Sequence, residues 1–384
     1  MYTIALKMLT EDKAKFIGMI LSLSFSTIII IQQMATFMGT MRRTYSTISD
    51  TPQAEIWVMN PSVKMIDDIN PIRSIDLWRV RSIEGVQWAM PFYLGKIRAK
   101  LLNGQFQLCN LYGIDSATFV GAPHTMIEGR VEDLRKPFSI IVNQIGAEEM
   151  LAQDMGPDKP KRPLSVGDTL ELNDRRATVV CICEVTRTFV SQPVIYTTFE
   201  RAQYYSPFER KQLSFIMAHA ADGVSAKEVC KRIDSITHLK AYTKEEFENK
   251  TVFYYLTKTG LPINFGIAVL LGILIGVAIT GQIFFNFTSD NLQYYSLFNA
   301  MGASHFTLAK ITLLQGVWVA FLGWGIGAGL ASFLGFATRN TQLAFYMPWA
   351  LFLGSGILIF TTCVVFSLIS INRIFKIQLG TMFK

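Results

Sequence analysis

Four stretches of the chain stay uncharged for longer than the roughly 20 residues a helix needs to cross a hydrocarbon core. The first lies between Lys15 and Arg42 and is filled by Phe16 to Met38. The second lies between Lys258 and Asp290, with its apolar centre at Ile263 to Phe287. The third lies between Lys310 and Arg339, and the fourth between Arg339 and Arg373, starting after Pro348. Helices of a soluble core rarely stay uncharged this long, so the pattern predicts four transmembrane helices. The first run is too long for the apolar core of a cleaved signal peptide, and no small-x-small site follows it. It reads as a retained anchor.

Between the first and second runs the periodicity changes. Ala54 to Met59 alternates like a strand, and Ser74 to Ile83 has helical spacing that stops near Gly85. Strand character returns from Val86 through Trp88 and Phe92, then at Phe106 to Ile114 and Ile140 to Asn143, while Ala147 to Leu151 looks helical. A loop rich in Pro, Lys and Asp begins at Met155. Short strands follow at Thr169 to Leu172 and Ala177 to Val185. Ser225 to Ile236 reads as an amphipathic helix with Ser225 as N-cap. Lys244 to Tyr255 reads as a helix leading straight into the second span. The expected fold is an α-helical membrane protein with four transmembrane helices and a large mixed α/β extracytoplasmic domain between the first and second. The boundaries are 1–39 for an amphipathic segment plus the first helix, 40–260 for the outside domain, and 261–384 for the remaining helices. A cytoplasmic helix is expected at 289–305, and a cytoplasmic tail ends the chain.

Charge sets the orientation. Only 17% of the 384 residues are charged, against about 25% in a typical soluble domain, and the charges concentrate between Arg42 and Lys258. With the N-terminus inside, the short inner flanks carry Lys7, Lys13, Lys15, Lys310, Arg373, Lys376 and Lys384, and the short outer loop only Arg339. Arg42 and Arg43 point the other way but are outnumbered. Both termini are therefore expected in the cytoplasm, in a multi-pass inner-membrane protein. The net charge of +7 belongs with lipid-facing flanks; no basic run with interleaved aromatics suggests nucleic acid. The five cysteines form no CxxC pair and no zinc-ligand spacing. The histidines and carboxylates are scattered, and no GxSxG, HExxH or SxxK element occurs in a plausible context. No catalytic residue and no metal ligand is expected.

Gln282 and Gln315 fall within or near the ends of the second and third spans, where an amide seeks a partner on another helix. Gly323 with Gly327 and Gly325 with Gly329 form two GxxxG pairs, which permit close helix packing. No charged residue lies deep in a span, which argues against ion-coupled transport. Between spans two and three, Leu292, Tyr295, Phe298 and Ala300 mark a short helix that breaks at Gly302. Leu297, Phe298 and Met301 are three and four residues apart and are expected to share an apolar face.

Here the sequence resembles the FtsX/MacB superfamily of ABC transporter permeases. The resemblance rests on Leu297-Phe298-Asn299-Ala300-Met301-Gly302-Ala303-Ser304, which is similar to the family's LLKAMGAS segment, and on the order of one span, a large outside domain and three spans. It is closest to the DevC-like branch through TKTGLPINFG (Thr257 to Gly266), GQIFFNFTSDNLQYY (Gly281 to Tyr295) and the tail INRIFKIQLGTMFK. The strands GDTLEL and the EGR of Glu128 to Arg130 are further family landmarks. The tail has Leu379-Gly380 where the family often has a Pro. The resemblance implies a MacB-like periplasmic domain and a mechanotransmission mechanism of the type VII class. It also implies a homodimer and a coupling helix in which Tyr294, Leu297, Phe298, Asn299, Ala300, Met301, Gly302 and Ala303 meet a separate, DevA-like ATPase subunit. A DevB-like membrane-fusion protein and an outer-membrane channel would complete a tripartite exporter of a glycolipid or other amphipathic substrate. The chain has no GxxxxGK[ST] and no LSGGQ-type signature, so ATP and Mg would act through the partner, with no cofactor bound here. The alternatives are a lipoprotein-releasing permease like LolC and LolE, or an FtsX-like transmembrane regulator of cell-wall hydrolases.

Overall fold

The structure is a computed structural model, and it describes residues 2–101, 104–153, 161–207, 213–338, 341 and 343–375. Arg339, Lys376, Lys384, Leu379-Gly380 and most of the loop from Met155 lie outside the described residues. The chain divides into two compact units, Met1–Thr40 with Gly260–Lys384, and Met41–Thr259. A short helix, α1 (Tyr2–Glu11), precedes α2 (Lys13–Thr44), whose last residues belong to the second unit.

The second unit begins with α3 (Ser46–Ser49), β1 (Ile56–Met59), α4 (Ser74–Arg81), β2 (Val86–Lys100) and β3 (Phe106–Ile114). It continues through β4 (Thr125–Glu128), β5 (Ser139–Asn143), β6 (Thr169–Leu172), β7 (Arg175–Glu184) and β8 (Val194–Thr198). After α5 (Phe199–Tyr205) come β9 (Phe215–Ala220), α6 (Ala226–Thr237), β10 (Lys240–Thr243) and α7 (Lys244–Lys258). The strands run β10-β1-β9-β2-β3-β8-β5-β7-β4, with β6 paired to β2 and β7. β3 with β8 and β5 with β7 are parallel; the other pairs are antiparallel. The 15-residue β2 joins the two halves of the sheet: its start, Val86 to Phe92, pairs with β9, and Tyr93 to Lys100 pairs with β3. At the centre Trp57 is fully buried, with the rings of Phe92, Phe215 and Phe247 at 5.6, 5.9 and 6.0 Å. Alternation along β1 sends Trp57 to this side and Ile56 and Val58 to the other, where α6 covers them with Val229, Cys230 and Ile233.

Several local expectations change. The segment read as helical at Ala147 to Leu151 is helical at Gly146–Met150, as a π-helical turn. Ser225 has the extended backbone of an N-cap but makes no side-chain cap bond. The capping device appears instead at Thr243, whose hydroxyl accepts from the Glu246 amide while the Glu246 carboxylate accepts from the Thr243 amide. α7 does not run on into the second span: Thr259 is extended, with φ −117° and ψ 159°, and ends the helix. All five cysteines are free and buried.

The membrane unit is completed by α8 (Leu261–Asp290), α9 (Leu292–Ala300), α10 (His305–Ala337) and α11 (Trp349–Phe375). Among the described residues four helices are long and apolar enough to cross a membrane: α2, α8, α10 and α11. Small residues decide how closely α2 and α10 approach. A Cβ at Gly327 would meet the Thr27 Cβ at 2.6 Å and the Ser24 carbonyl oxygen at 2.7 Å, and one at Gly323 the Leu23 Cβ at 2.6 Å. The Ser24 hydroxyl donates to the Gly323 carbonyl at 3.0 Å. Gly325 and Gly329 lie on another face, where a Cβ meets nothing within 4 Å. Of these two GxxxG pairs on α10, the first packs against another helix among the described residues and the second does not. On the far side of α10, Trp324 Nε1 donates to the Ser355 hydroxyl of α11 at 3.2 Å.

These contacts predict different tolerances. Gly327→Val drives a branched side chain into the backbone of α2 and destabilises the purified protein by about 1–3 kcal/mol. Gly325→Val costs little. Thermal unfolding of the two variants in one detergent measures the difference.

Candidate functional site

α9 lies between the end of α8 and the start of α10. Asn291 precedes it, and beyond Met301 the chain turns at Gly302, where φ is +92°. That left-handed backbone suits glycine and stops the helix. Ser304 then caps α10, its hydroxyl accepting from the Thr307 amide at 3.3 Å. The Ala303 amide closes the connection by donating to the Phe298 carbonyl at 2.9 Å.

One face of α9 is anchored. Tyr295 is fully buried among Ala5 and Met8 of α1 and Leu308 and Ile311 of α10. Its hydroxyl donates to Gln315 Oε1 at 3.1 Å, and Gln315 Nε2 donates to the Ala5 carbonyl at 3.2 Å. The Thr312 hydroxyl lies 3.5 Å from the Tyr295 oxygen. Burial raises the Tyr295 pKa above its usual value, against the pull of the Thr312 and Gln315 hydrogen bonds. The phenol thus stays a neutral donor. Ser296 is also buried, its hydroxyl donating to the Leu292 carbonyl at 2.9 Å. Close by in sequence, Lys15 at the start of α2 pairs with Asp12 at 2.9 Å and with Asp290 at the end of α8 at 2.5 Å. α1, α9 and the adjoining ends of α2, α8 and α10 thus form one end of the membrane unit.

The opposite face of α9 is apolar and open. Tyr294, Leu297 and Met301 follow one another at three- and four-residue spacing and are 45%, 55% and 67% exposed. Phe306 extends the apolar surface on the first turn of α10, with the Lys310 ammonium 4.4 Å from its ring centre. Ala300 and Gly302 are also exposed, whereas Asn299 and Ala303 are partly covered. Phe298 departs from the expected face: it packs inward, partly buried, against the Ala5, Met8 and Tyr295 cluster. Consecutive helical residues point about 100° apart, so Leu297 and Phe298 cannot both face outward once α1 and α10 cover one side.

Of the two glutamines singled out in the spans, Gln315 is buried and bonded as described, while Gln282 is exposed on α8. The sequence reading passed over Gln32 of α2, whose Oε1 is buried with no hydrogen-bond partner among the described residues. The pair Gln32-Gln33 interrupting an apolar run was the available signal. Among the described residues no three His, Cys, Asp or Glu side chains converge to hold a metal.

Two family descriptions match the chain in succession. Residues 17–236 match a MacB-like periplasmic core domain, and residues 266–379 match an FtsX-like permease C-terminal region. The chain belongs to the FtsX/MacB-type family of ABC transporter permeases. It is thus a membrane protein and a transporter component rather than an enzyme, of a family that works with an ATPase subunit. No curated protein sequence matches it. Among solved structures, the periplasmic region of MacB from Actinobacillus actinomycetemcomitans is 14% identical, covers 53% of this chain and 94% of its own, and gives a TM-score of 0.39. The extracellular domain of the noncanonic ABC-type transporter YknZ from Gram-positive bacteria is 12% identical, with coverages of 50% and 98% and a TM-score of 0.34. A domain of a putative permease protein from Porphyromonas gingivalis is 15% identical, with coverages of 50% and 89% and a TM-score of 0.33. The assignment to the FtsX/MacB-type permeases rests on the two family matches, not on these likenesses.

The buried amide gives a direct test of how this FtsX/MacB-type permease holds α9. Gln315→Leu leaves the Tyr295 hydroxyl and the Ala5 carbonyl without their partner and lowers stability by about 1–3 kcal/mol. Gln282→Leu, on an exposed position, leaves it nearly unchanged. Melting curves in a common detergent compare the two.

Proposed function

We propose that the chain is the permease subunit of an ABC-type exporter of the DevC-like branch, and that α9 is the coupling helix through which a separate ATPase moves it. The observation that carries this reading is the two-sided construction of α9. One face is locked to α1 and α10 through Tyr295 and Gln315, and the other presents Tyr294, Leu297 and Met301 uncovered. A helix built this way receives force on its open face and passes it to α10 without slipping. The Lys and Arg balance of the flanks supports a cytoplasmic position for this end and for both termini, on the side of the inner membrane where an ATPase works.

In this reading two copies of the permease join two ATPase subunits. ATP-driven closure of the ATPase pair shifts the spans and changes the outside domain, which passes an amphipathic substrate, such as a glycolipid, to a membrane-fusion protein and an outer-membrane channel. Closeness of the motifs to the DevC-like branch favours this over lipoprotein release or hydrolase regulation. ATP and Mg belong to the partner, and the permease supplies no catalytic group.

A buried Leu anchor at an interface is worth about 1.5–3 kcal/mol, which corresponds to roughly ten- to 150-fold in affinity. Leu297→Asp is therefore expected to reduce capture of the cognate ATPase by at least about tenfold while the permease remains inserted and monodisperse. Phe298→Asp instead disturbs the permease itself, because Phe298 packs inward. Wild-type ATPase capture by the Leu297 variant counts against the coupling assignment.

A further inference from the structure

The outside unit carries a groove of 830 Å³ between α6, β10 and α7, far in sequence from α9. Four lysines line it: Lys227 and Lys231, one turn apart on α6, Lys240 on β10 and Lys250 on α7. Its apolar wall comes from α7, where Val252, Phe253 and Leu256 share a face, and Phe253 and Leu256 are 66% and 40% exposed.

The charges inside the groove do not cancel. Asp234 is committed to the Lys240 ammonium and to the Ala241 amide, at 2.7 Å from the latter. Glu246 is committed to the capping bond with the Thr243 amide at 3.1 Å. Lys250 donates to the Val63 carbonyl at 2.7 Å and to the Tyr242 hydroxyl at 3.1 Å. The Lys250 and Lys240 ammonium groups lie 4.4 and 5.6 Å from the Tyr242 ring centre, so both gather over one aromatic floor. Tyr242 is itself steadied by the Phe247 ring, stacked at 6.4 Å. Lys227 and Lys231 are exposed and make no ion pair among the described residues. The groove therefore keeps a surplus of two positive charges beside an apolar wall.

An occupant that satisfies both features has an anionic head and an apolar body. Leu256, at the apolar end, is only five residues before Leu261, where the second membrane-spanning helix begins. We propose that this groove binds an anionic phospholipid of the adjacent membrane surface, its phosphate held by Lys227 and Lys231 and its acyl region laid against Phe253 and Leu256. This site stands apart from the export reading, since it needs neither an ATPase nor a fusion protein.

The test uses the full-length chain in nanodiscs of phosphatidylcholine, with or without phosphatidylglycerol. A photoreactive benzoylphenylalanine replaces the exposed Phe253, and mass spectrometry identifies the adducts. The expected result is a phosphatidylglycerol adduct whose yield falls about tenfold when Lys227 and Lys231 are both changed to Gln, and falls again with added salt. Both lysines are exposed, so the variant keeps its fold, which a monodisperse elution profile checks. Equal adduct yields with the two lipids, indifference to the lysine changes, or adducts with a second protein chain in place of lipid would each overturn the proposal.

Discussion

An amide inside an apolar helix bundle has no water to bond with, so its partners must be built into the protein. Gln315 meets that demand by accepting from Tyr295 and donating to the Ala5 carbonyl. Those two hydrogen bonds gather α1, α9 and α10 at one end of the membrane unit. Everything proposed for α9 depends on them. Without the Tyr295 anchor, a nine-residue helix with an exposed apolar face would be free to roll. With it, the orientation is fixed and Tyr294, Leu297 and Met301 must stay outside. The salt bridges of Lys15 to Asp12 and Asp290 act at the same end, but exposed pairs of this kind contribute little stability. They align the helix ends rather than hold them.

The two units show different solutions to packing. In the membrane unit, close approach comes from absent side chains, as at Gly323 and Gly327, and from single hydrogen bonds such as Ser24 to Gly323. Lipid is as apolar as leucine, so burial gives little drive between helices and fit decides. In the outside unit, burial of large rings around Trp57 does the work, and one long strand, β2, is shared by both halves of the sheet. A single strand common to both halves ties them into one sheet.

The four spans were legible because an uncharged run of that length has few other uses. Strands that announce themselves by alternation, such as β1 and β3, were legible too. β4, β8, β9 and β10 were not: β1, β5 and β6 are just as short, so length is not the difference, and it is pairing with neighbours in the sheet that makes these four segments strands. The break after α7 was written in the sequence and passed over: Gly260 follows the extended Thr259, and Pro262 sits in the first turn of α8, where a proline suits a helix start but not the interior of a continuous helix. At the candidate site, the spacing of Leu292, Tyr295 and Phe298 correctly marked a helix. The division of its faces was not readable, because Phe298 is turned inward by α1 and α10, which spacing within α9 cannot reveal. The GxxxG pairs were similarly ambiguous. Only the position of α2 shows that Gly323 and Gly327 pack while Gly325 and Gly329 do not.

The central claim is that the outward face of α9 is the surface an ATPase subunit grips. Photo-crosslinking in intact cells tests it most directly, with a photoreactive residue placed in turn at Tyr294, Leu297 and Met301 and, for contrast, at the buried Ser296. The account predicts adducts with the cognate ATPase from the three exposed positions and none from Ser296. Adducts confined to lipid, or to proteins on the other side of the membrane, would contradict it.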